Sequence, residues 1–362
     1  MKVLVAMSGG VDSAVSAYLI KREYEALGVT MKLHDESDNL IYGENSCCSN
    51  QDIADAKAVC DLIGIDHEVH DFGASFKECV IGDFINSYKN GCTPNPCVIC
   101  NRKIKFEELL KIALERGYDA IATGHYARIE KHSDGRYLLK KAIDLAKDQS
   151  YVLYSLTQHQ LSHIIFPLGE MTKQDARELA EQIGFTNARK HDSQDICFVP
   201  DGDYVSFIER TTGETFDKGN FIDLQGNILG KHEGIIKYTI GQRKGLNIGG
   251  KNGFDCARWF VVEKDIKNNV LYVSCGENEN MFSSSCIVKD FNWIVQPKQE
   301  MECFVKLRYR QPDQKTKVEM IDEKTLKLNF MEKQKSVTVG QFAVLYDENE
   351  NCLGGGIIEI VK

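Results

Sequence analysis

The sequence predicts an α/β protein: an N-terminal doubly wound parallel sheet, a small and mainly helical central region, and a C-terminal β-barrel. Up to about residue 125, short β-branched runs alternate with helical periods. Helical patterns dominate 149–212, and from 213 onward short strands are separated by glycine and asparagine turns. Because 362 residues exceed what one core usually supports, we expect three units, 1–148, 149–212 and 213–362.

The N-terminal part alternates predicted strands with predicted helices. The strands are KVLVAM, ALGVTM, DHEVHDF and DAIATG. The helices are VSAYLIKREY, IADAKAVCDLI, FKECVIGDFINSYKN and FEELLKIALERG, which carry apolar residues at helical spacing. Such alternation is typical of a parallel sheet with helices on both faces. A hairpin, YARIEKHSDGRYLLKKA, follows with its turn at Ser133, Asp134 and Gly135.

The remaining elements change from helical to strand-like. The central segments QSYVLYSLT, QHQLSHII, TKQDARELAEQIG and DYVSFIER favour helices, with Thr172 as an N-cap. The later segments GKHEGIIKYTIGQRKG, ARWFVVEKDIKNNVLYVS, CFVKLRYRQ and QFAVLYDENENCLGGGIIEIV favour short strands. This pattern of short strands and turns predicts a small β-barrel.

Composition and charge restrict the classes of function. The net charge of -9 gives no general attraction to nucleic acid, so RNA binding would need local basic patches. No apolar run approaches the length of a signal peptide's core or a membrane span, so we expect a cytoplasmic protein with no membrane partner. The 13 cysteines are an odd number without a secretory context, which favours reduced thiols over a disulfide framework.

The segment MSGGVDS, residues 7–13, ends the first strand and leads directly into a helix. Its glycines allow close approach of an anion, and the amides of a helix N-terminus point toward it. The segment is neither a Walker loop nor a dinucleotide-binding turn. It resembles the pyrophosphate loop of ATP pyrophosphatases, which predicts ATP binding with Mg²⁺ near Asp12 and Ser13. An ordinary capped glycine turn is the alternative.

The segment TPNPCVICNRKIKF, residues 93–106, places Cys97 and Cys100 in a proline-containing loop before a basic helix. Three chemistries are open for this pair: a metal half-site, a dithiol that cycles with a disulfide, and a nucleophile. The loop alone does not choose between them.

Further motifs resemble those of the tRNA-specific 2-thiouridylases. They are NPCVICNRKIKF, GHY at 124–126, DQSY at 148–151, DSQDICF at 192–198, TIGQRKG at 239–245 and RYRQ at 308–311. The likeness runs from the first strand to the final GGGIIE. It therefore covers essentially the whole chain.

This resemblance implies an ATP-dependent reaction on the wobble uridine of tRNA. The C2 oxygen is adenylated, and sulfur from a cysteine persulfide replaces it, giving 2-thiouridine, AMP and pyrophosphate. By resemblance, Cys197 carries the persulfide, and Cys100 releases the sulfur by forming a disulfide with Cys197. Asp12 is implied as the carboxylate near the phosphates. A separate persulfide donor protein is implied as a partner.

The resemblance also implies two sets of binding residues. The nucleotide set is Ala6, Met7, Ser8, Gly9, Gly10, Val11, Asp12, Ser13, Met31 and Gly124. The tRNA set is Asn95, Pro96, Cys97, His125, Asp148, Gln149, Ser150, Arg308, Tyr309 and Gln341. Since the target base lies in a folded loop, it must leave its stack to react.

Two positions depart from the family pattern, Cys97 and Asp195, and glycine is frequent in relatives at the position of Asp195. Many members have an aspartate where this chain has Cys97. Cys97, Cys100 and Cys197 together make a three-thiolate set able to hold zinc or an iron-sulfur cluster. A metal-free persulfide route is our leading hypothesis and the cluster its rival. The adjacent pair Cys47 and Cys48, earlier in the chain, has no assigned role.

Three other functions stay open at this point. A different ATP pyrophosphatase, such as a ligase or amidotransferase, explains the glycine loop but neither the cysteines nor the barrel. A non-catalytic nucleotide sensor would bind ATP without releasing pyrophosphate. A simple RNA-binding module would not need the cysteines.

Overall fold

The computed structural model describes residues 1–34, 49–190, 196–199, 201–248 and 258–362. The strands in this part of the chain are β1 Lys2–Ala6, β2 Glu25–Lys32, β3 Asp66–Asp71, β4 Ala120–Ala122, β5 Ala127–Lys131, β6 Tyr137–Lys141, β7 Ile164–Ile165, β8 Gly219–Asp223, β9 Ile228–His232, β10 Trp259–Asp265, β11 Val270–Cys275, β12 Phe282–Trp293, β13 Glu300–Lys306, β14 Gln314–Met320, β15 Leu326–Lys335, β16 Phe342–Tyr346 and β17 Asn351–Val361.

The α-helices of the same residues are α1 Val11–Glu23, α2 Asn50–Ile63, α3 Gly73–Ser75, α4 Gly82–Lys89, α5 Pro96–Cys100, α6 Leu110–Glu115, α7 Gln158–Leu161, α8 Lys173–Ile183 and α9 Tyr204–Thr212. Two π-helical segments, Phe76–Ile81 and Asn101–Leu109, join α3 to α4 and α5 to α6. Short 3₁₀ turns span Ser150–Leu153, Ile235–Lys237 and Glu279–Met281. Among the described helices, none has the length and apolar character to span a membrane.

The N-terminal sheet is parallel and has the order β3-β2-β1-β4-β7, which confirms the predicted fold class. Alternate residues of β1 enter two different cores, Leu4 on one face and Val3 and Val5 on the other. A strand buried on both faces must be a continuous apolar run, and the buried part of β1, VLVA, is one. Since β2 and β4 flank β1 on opposite sides, the carboxyl end of β1 is a topological switch point, where such sheets bind ligands.

The last strand of this sheet lies in a segment predicted as helix. α7 ends at Leu161, and Ile164 and Ile165 pair with β4. The segment is followed by Phe166 and Pro167. Proline disfavours helical backbone at the residue before it, and β-branched isoleucines favour a strand.

The C-terminal barrel contains six antiparallel strands, in the order β12-β15-β14-β13-β16-β17, and is closed by pairing of β12 with β17. Its core includes Val288, Val305, Leu328 and Leu345. The predicted barrel is therefore confirmed. The strands β8 to β11 form a separate four-stranded sheet. The strand-rich region predicted from residue 213 onward as one barrel therefore contains two sheets.

The hairpin β5–β6 forms as predicted, but it joins the sheet of the barrel. Asn351 and Cys352 of β17 pair with Lys140 and Leu139 of β6. This pairing adds an N-terminal hairpin to the edge of the C-terminal barrel. It thereby holds the barrel beside the α/β sheet.

Candidate active site

The loop between β1 and α1 occupies the switch point of the parallel sheet. Gly10 is the N-cap of α1, and the first-turn amides of Val11, Asp12 and Ser13 have no acceptor within the helix. Gly9 has a φ of +72°, and a Cβ there would lie 2.4 Å from the carbonyl oxygen of Asp52. Only glycine fits this position. The loop therefore presents a helix N-terminus suited to a phosphate group.

Ser13 fastens the loop to the first turn of α1. Its Oγ accepts hydrogen bonds from the N–H and Oγ of Ser8, at 3.1 and 3.2 Å, and donates to the carbonyl of Gly10 at 2.9 Å. The neighbouring Met7 and Val11 are buried apolar side chains. They can therefore offer a nucleotide only their backbone.

Asp12, the predicted catalytic carboxylate, is paired inside the site. Lys173 Nζ lies 2.8 and 2.9 Å from its two carboxylate oxygens, and Tyr126 donates to Oδ1 at 2.9 Å. Lys173 is the first residue of α8, whose Thr172 cap forms as predicted. Sequence reasoning missed Lys173. The available signal was a lysine in the first turn of a helix, where the dipole disfavours a cation unless an anion lies nearby.

The other predicted nucleotide residues lie around the same loop. A Cβ at Gly124 would be 2.8 Å from the carbonyl carbon of Asp12, so the end of β4 abuts the first turn of α1. Ala6 ends β1, and Met31 lies near the end of the adjacent β2. The structure thus brings the whole predicted nucleotide set to one edge of the sheet.

The loop before α5 is held by the barrel. The N–H of Thr93 donates to the carbonyl of Val339 at 3.2 Å, and Gln341 Nε2 donates to the carbonyl of Thr93 at 2.6 Å. Asn95 is extended, and Pro96 occupies the first helical position, where its fixed φ suits the helix. The cysteine loop therefore lies at the junction of the α/β unit and the barrel.

Cys97 and Cys100 lie one turn apart on α5 but in different environments. Cys97 is exposed, whereas Cys100 is buried. Although solvent reaches Cys97, surrounding protein desolvates its thiol and raises its pKa to about 11. The nearby thiol of Cys197 also raises this pKa, and the Lys105 ammonium lowers it. Cys197 therefore interacts electrostatically with the first of the two cysteines.

Cys197 is partly exposed, and its chain neighbour Phe198 anchors it. The Phe198 ring packs edge-on against Phe76 and Phe84, at centroid distances of 5.7 and 5.1 Å, and tilted against Phe207 at 5.2 Å. This aromatic cluster holds the segment against the helices that lead to the cysteine loop. The structure thus brings cysteines nearly a hundred positions apart in the sequence into one region.

The three cysteines of the predicted cluster are all free of disulfide bonds. Within the residues that the structure describes, no group of three or more His, Cys, Asp or Glu side chains is arranged to hold a metal ion. Residues 192–195 of the DSQDICF motif, together with Cys47 and Cys48, lie outside the described residues.

Two predicted tRNA residues line the barrel side of the site. The ring of Tyr309 lies 5.9 Å from that of Tyr151, and burial raises the pKa of Tyr309 to about 12, with further contributions from Asp148 and Cys97. Arg308 is exposed and donates to the Ser336 carbonyl at 2.7 Å and to Thr338 Oγ1 at 2.8 Å. Tyr309 therefore lies near Cys97 of the cysteine loop, and Arg308 is held against the barrel beside it.

Three more members of the tRNA set are engaged within the protein. Asp148 accepts from the Ala142 and Ser150 amides, both at 3.1 Å, and from Ser150 Oγ at 2.8 Å. Burial raises the pKa of Asp148. Gln149 Oε1 accepts from the Tyr126 amide at 2.9 Å. These contacts give Asp148, Gln149 and Ser150 a clear role in the framework of the site.

His125 is buried between the rings of Phe106 and Phe166. Its Nδ1 lies 2.7 Å from Thr123 Oγ1. Burial, with a smaller effect of Lys105, holds the pKa of His125 well below its usual value. The imidazole is therefore neutral at physiological pH.

Comparisons with known proteins agree with this architecture. The family model described as "tRNA methyl transferase HUP domain" matches residues 1–201, "tRNA methyl transferase PRC-barrel domain" matches 205–275, and "Aminomethyltransferase beta-barrel domain" matches 283–358. These ranges enclose the parallel sheet, the four-stranded sheet and most of the closed barrel.

Similar proteins extend over nearly the whole chain. The tRNA-specific 2-thiouridylase MnmA 1 of Clostridium botulinum (strain Loch Maree / Type A3) is 44% identical over 361 residues, 99% of each chain. The tRNA-specific 2-thiouridylase MnmA of Clostridioides difficile (strain 630) is 45% identical over 99% of this chain and 98% of its own. That of Halothermothrix orenii is 45% identical over 99% of each. The chain belongs to the family of tRNA-specific 2-thiouridylases.

Proposed function

We propose that this chain is an ATP-dependent tRNA sulfurtransferase that converts the wobble uridine of tRNA to 2-thiouridine and releases AMP and pyrophosphate. The observation that carries the proposal is the packing of Phe198, next to Cys197, against Phe76 and Phe84 on the helices that lead to the cysteine loop, which brings the distant thiols into one region. A nucleotide-binding module alone has no need for this meeting of distant thiols. The relatives named as tRNA-specific 2-thiouridylases support the same reaction.

The first half of the reaction uses the glycine loop. The amides of Gly10 and of the first turn of α1 bind the phosphates of ATP, so that the uridine O2 attacks the α-phosphorus and pyrophosphate leaves. Lys173 lies beside Asp12 and adds positive charge near the leaving group. The adenylated oxygen is then a good leaving group as AMP.

Mg²⁺ fits this arrangement as an ion carried by the nucleotide. Asp12 is the acidic side chain at the loop, and its carboxylate is about one-third exposed, so it can face a phosphate-bound cation. When bound, Mg²⁺ neutralises charge on the phosphates. The assignment of Asp12 to this role is part of the proposal.

The second half of the reaction uses the cysteines. The terminal sulfur of a Cys197 persulfide attacks C2, and AMP leaves with the former oxygen. A Cys100 thiolate then attacks Cys197 Sγ, forming a Cys100–Cys197 disulfide and leaving the terminal sulfur on C2. Two thiols are oxidised while the sulfane sulfur is reduced, so electrons balance. A thiol reductant and a persulfide donor protein restore the enzyme for the next turnover.

Residues of the cysteine loop, together with Arg308 and Tyr309 of the barrel, form the proposed grip on tRNA. Asn95, Pro96 and Cys97 flank the extruded base, and Arg308 with Tyr309 approach from the barrel. Because ATP, tRNA and reduced thiols meet in the cytoplasm, we assign the enzyme to that compartment.

An iron-sulfur-dependent route is the second candidate, and Cys97 is the observation that favours it. Anaerobic purification followed by iron and acid-labile sulfide analysis separates the two routes. The metal-free route predicts full thiolation without stoichiometric iron. Stoichiometric iron that is lost together with activity in Cys97→Ala would instead favour the cluster.

The proposed activity is tested by mass spectrometry of tRNA nucleosides after incubation with ATP, Mg²⁺ and a persulfide-bearing sulfur donor, with no free sulfide that could attack C2 directly. We expect 2-thiouridine with the natural chain and none with Cys197→Ser or Cys100→Ser, both of which should still bind tRNA. Cys79→Ala is the matched control, since Cys79 is a free and partly exposed thiol on the π-helical segment Phe76–Ile81. Thiolation by the Cys197→Ser variant would overturn the proposed persulfide route.

A further inference from the structure

The carbonyl of Gly9 in the glycine loop is held from outside the loop. Asn187 Nδ2 donates to it at 3.0 Å, and Lys190 Nζ lies 3.4 Å away. Both residues belong to the turn that follows α8, far from the glycine loop in the sequence. No sequence motif assigned them to the nucleotide site.

The hydrogen bond to the Gly9 carbonyl also orients the N–H of Gly10. The Gly9–Gly10 peptide is planar and trans, so its N–H points opposite to its C=O. Fixing the Gly9 carbonyl toward Asn187 therefore fixes the Gly10 N–H in the opposite direction. Two successive glycines resist rotation of this peptide only weakly. Without an external hold, the peptide can turn its carbonyl oxygen toward a bound phosphate, where it would repel the anion.

We propose that Asn187 and Lys190 are positioning residues of the pyrophosphate loop, which hold the Gly9 carbonyl aside so that the Gly10 N–H faces the phosphates. The inference rests on the proposed use of ATP by this loop. It concerns the binding of the pyrophosphate portion, whichever acceptor is adenylated.

The environment of Asn187 indicates that its side chain serves mainly to bind the Gly9 carbonyl. Asn187 is 4% exposed, and its Oδ1 has no hydrogen-bond partner among the residues that the structure describes. Burying an unsatisfied amide oxygen is unfavourable. The donated hydrogen bond to Gly9 is the contact that an asparagine makes here and an apolar residue cannot.

Lys190 is fixed by two carboxylates of α2. Its Nζ lies 2.7 Å from Asp52 Oδ1 and 2.7 Å from Asp55 Oδ2. Asp52 also completes the capping box of α2 with Ser49, and its backbone contacts Gly9. The turn 187–190, the start of α2 and the glycine loop therefore form one connected unit.

Binding of inorganic pyrophosphate, measured by calorimetry, tests the inference without sulfur transfer. We expect roughly tenfold weaker binding for Asn187→Leu, because one well-directed contact to an anion is lost. Lys190→Met should weaken binding severalfold, and Lys190→Arg should restore it. Arg189→Met is the matched control, because the Arg189 side chain is 88% exposed in the same turn.

Kinetics separate positioning from general damage. The KM for ATP in tRNA-dependent pyrophosphate release should rise in parallel with the pyrophosphate Kd, while kcat stays within about twofold. If Asn187→Leu does not fold, the comparison of Lys190→Met with Lys190→Arg decides. Wild-type pyrophosphate affinity in a folded Lys190→Met, or failure of Lys190→Arg to restore it, overturns the inference. If the natural chain makes no 2-thiouridine and the variants still bind pyrophosphate more weakly, the proposed function is overturned. The inference about the loop then stands.

Discussion

Gln341 of the barrel donates a hydrogen bond from Nε2 to the main-chain carbonyl of Thr93, at 2.6 Å, in the loop that leads to Cys97. The amide of Thr93 is bound in turn by the carbonyl of Val339. Gly340, between these barrel residues, lies so close to Cys92 that a Cβ would meet Cys92 Cβ at 2.6 Å. The position of the cysteine loop thus depends on the barrel.

We expect Gln341→Ala to lower kcat for 2-thiouridine formation severalfold, because the loss of one hydrogen bond frees the loop carrying Cys97. Hydrogen exchange of the amides in 92–95 should increase, with tRNA affinity within about twofold of the natural chain. Gln299→Ala is the control, since Gln299 also donates to a main-chain carbonyl of the barrel, that of Met320. Weaker tRNA binding with unchanged exchange would instead support the sequence-based assignment of Gln341 to tRNA contact.

Lys173 should matter for pyrophosphate release although no motif pointed to it. Lys173→Met removes the cation beside Asp12 and leaves its carboxylate without a compensating charge, with Tyr126 still donating to it, next to the proposed phosphate site. We expect kcat/KM for ATP to fall by roughly tenfold to a hundredfold, measured as tRNA-dependent pyrophosphate release. The adjacent Gln174→Ala, which alters an exposed hydrogen bond to Glu178, should behave like the natural chain. Equal loss in both variants would contradict a specific role of Lys173.

Local sequence patterns predicted the elements of the fold better than their long-range pairing. Alternating strands and helices were sufficient for the parallel sheet, and the Ser133–Gly135 turn for the β5–β6 hairpin. The pairing of Leu139 with Cys352 joins strands that are far apart in the sequence, which no local period encodes. β7 has only Ile164 and Ile165, too few residues for an alternating pattern to show.

The candidate site was predictable where function depends on a contiguous motif. MSGGVDS indicated an anion loop because the strand, glycines and helix are adjacent in the sequence. Lys173 and Asn187 reach the loop only through packing of α8 and the following turn. Motif resemblance also does not distinguish a residue that contacts a substrate from one that supports the site, and Asp148 is an example of this ambiguity.

Asp148 offers a direct test between tRNA contact and a framework role. Asp148→Ala removes the acceptor for the Ala142 and Ser150 amides, and we expect roughly 2–4 kcal/mol lower free energy of unfolding. Asp148→Asn keeps an acceptor oxygen and should lose less. Chemical denaturation measures both variants. If tRNA affinity of folded Asp148→Asn falls by tenfold or more while stability is unchanged, the carboxylate contacts tRNA.

Lys264 of β10 should make stability depend on alkaline pH. Its ammonium is buried without a hydrogen-bond partner among the described residues, and burial lowers the pKa of Lys264 to about 8 from 10.5. Between these values the unfolded chain binds the proton and the folded chain does not, so stability rises with pH. Below about 8 both forms are protonated, and the full cost of burying the charge is present.

Lys264→Met should therefore stabilise the protein by about 1–3 kcal/mol at pH 7, because it removes a buried charge and keeps a chain of similar length. The gain should shrink as pH rises from about 8 toward 10.5, where the natural lysine loses its proton in both states. The nearby Cys92 thiol favours the lysine's charge only weakly by comparison with burial. Urea denaturation across this pH range measures the difference, with the exposed Lys267→Met as control. A gain that does not depend on pH would mean that the packing or strand propensity of methionine sets the effect. The buried charge would then not be its cause.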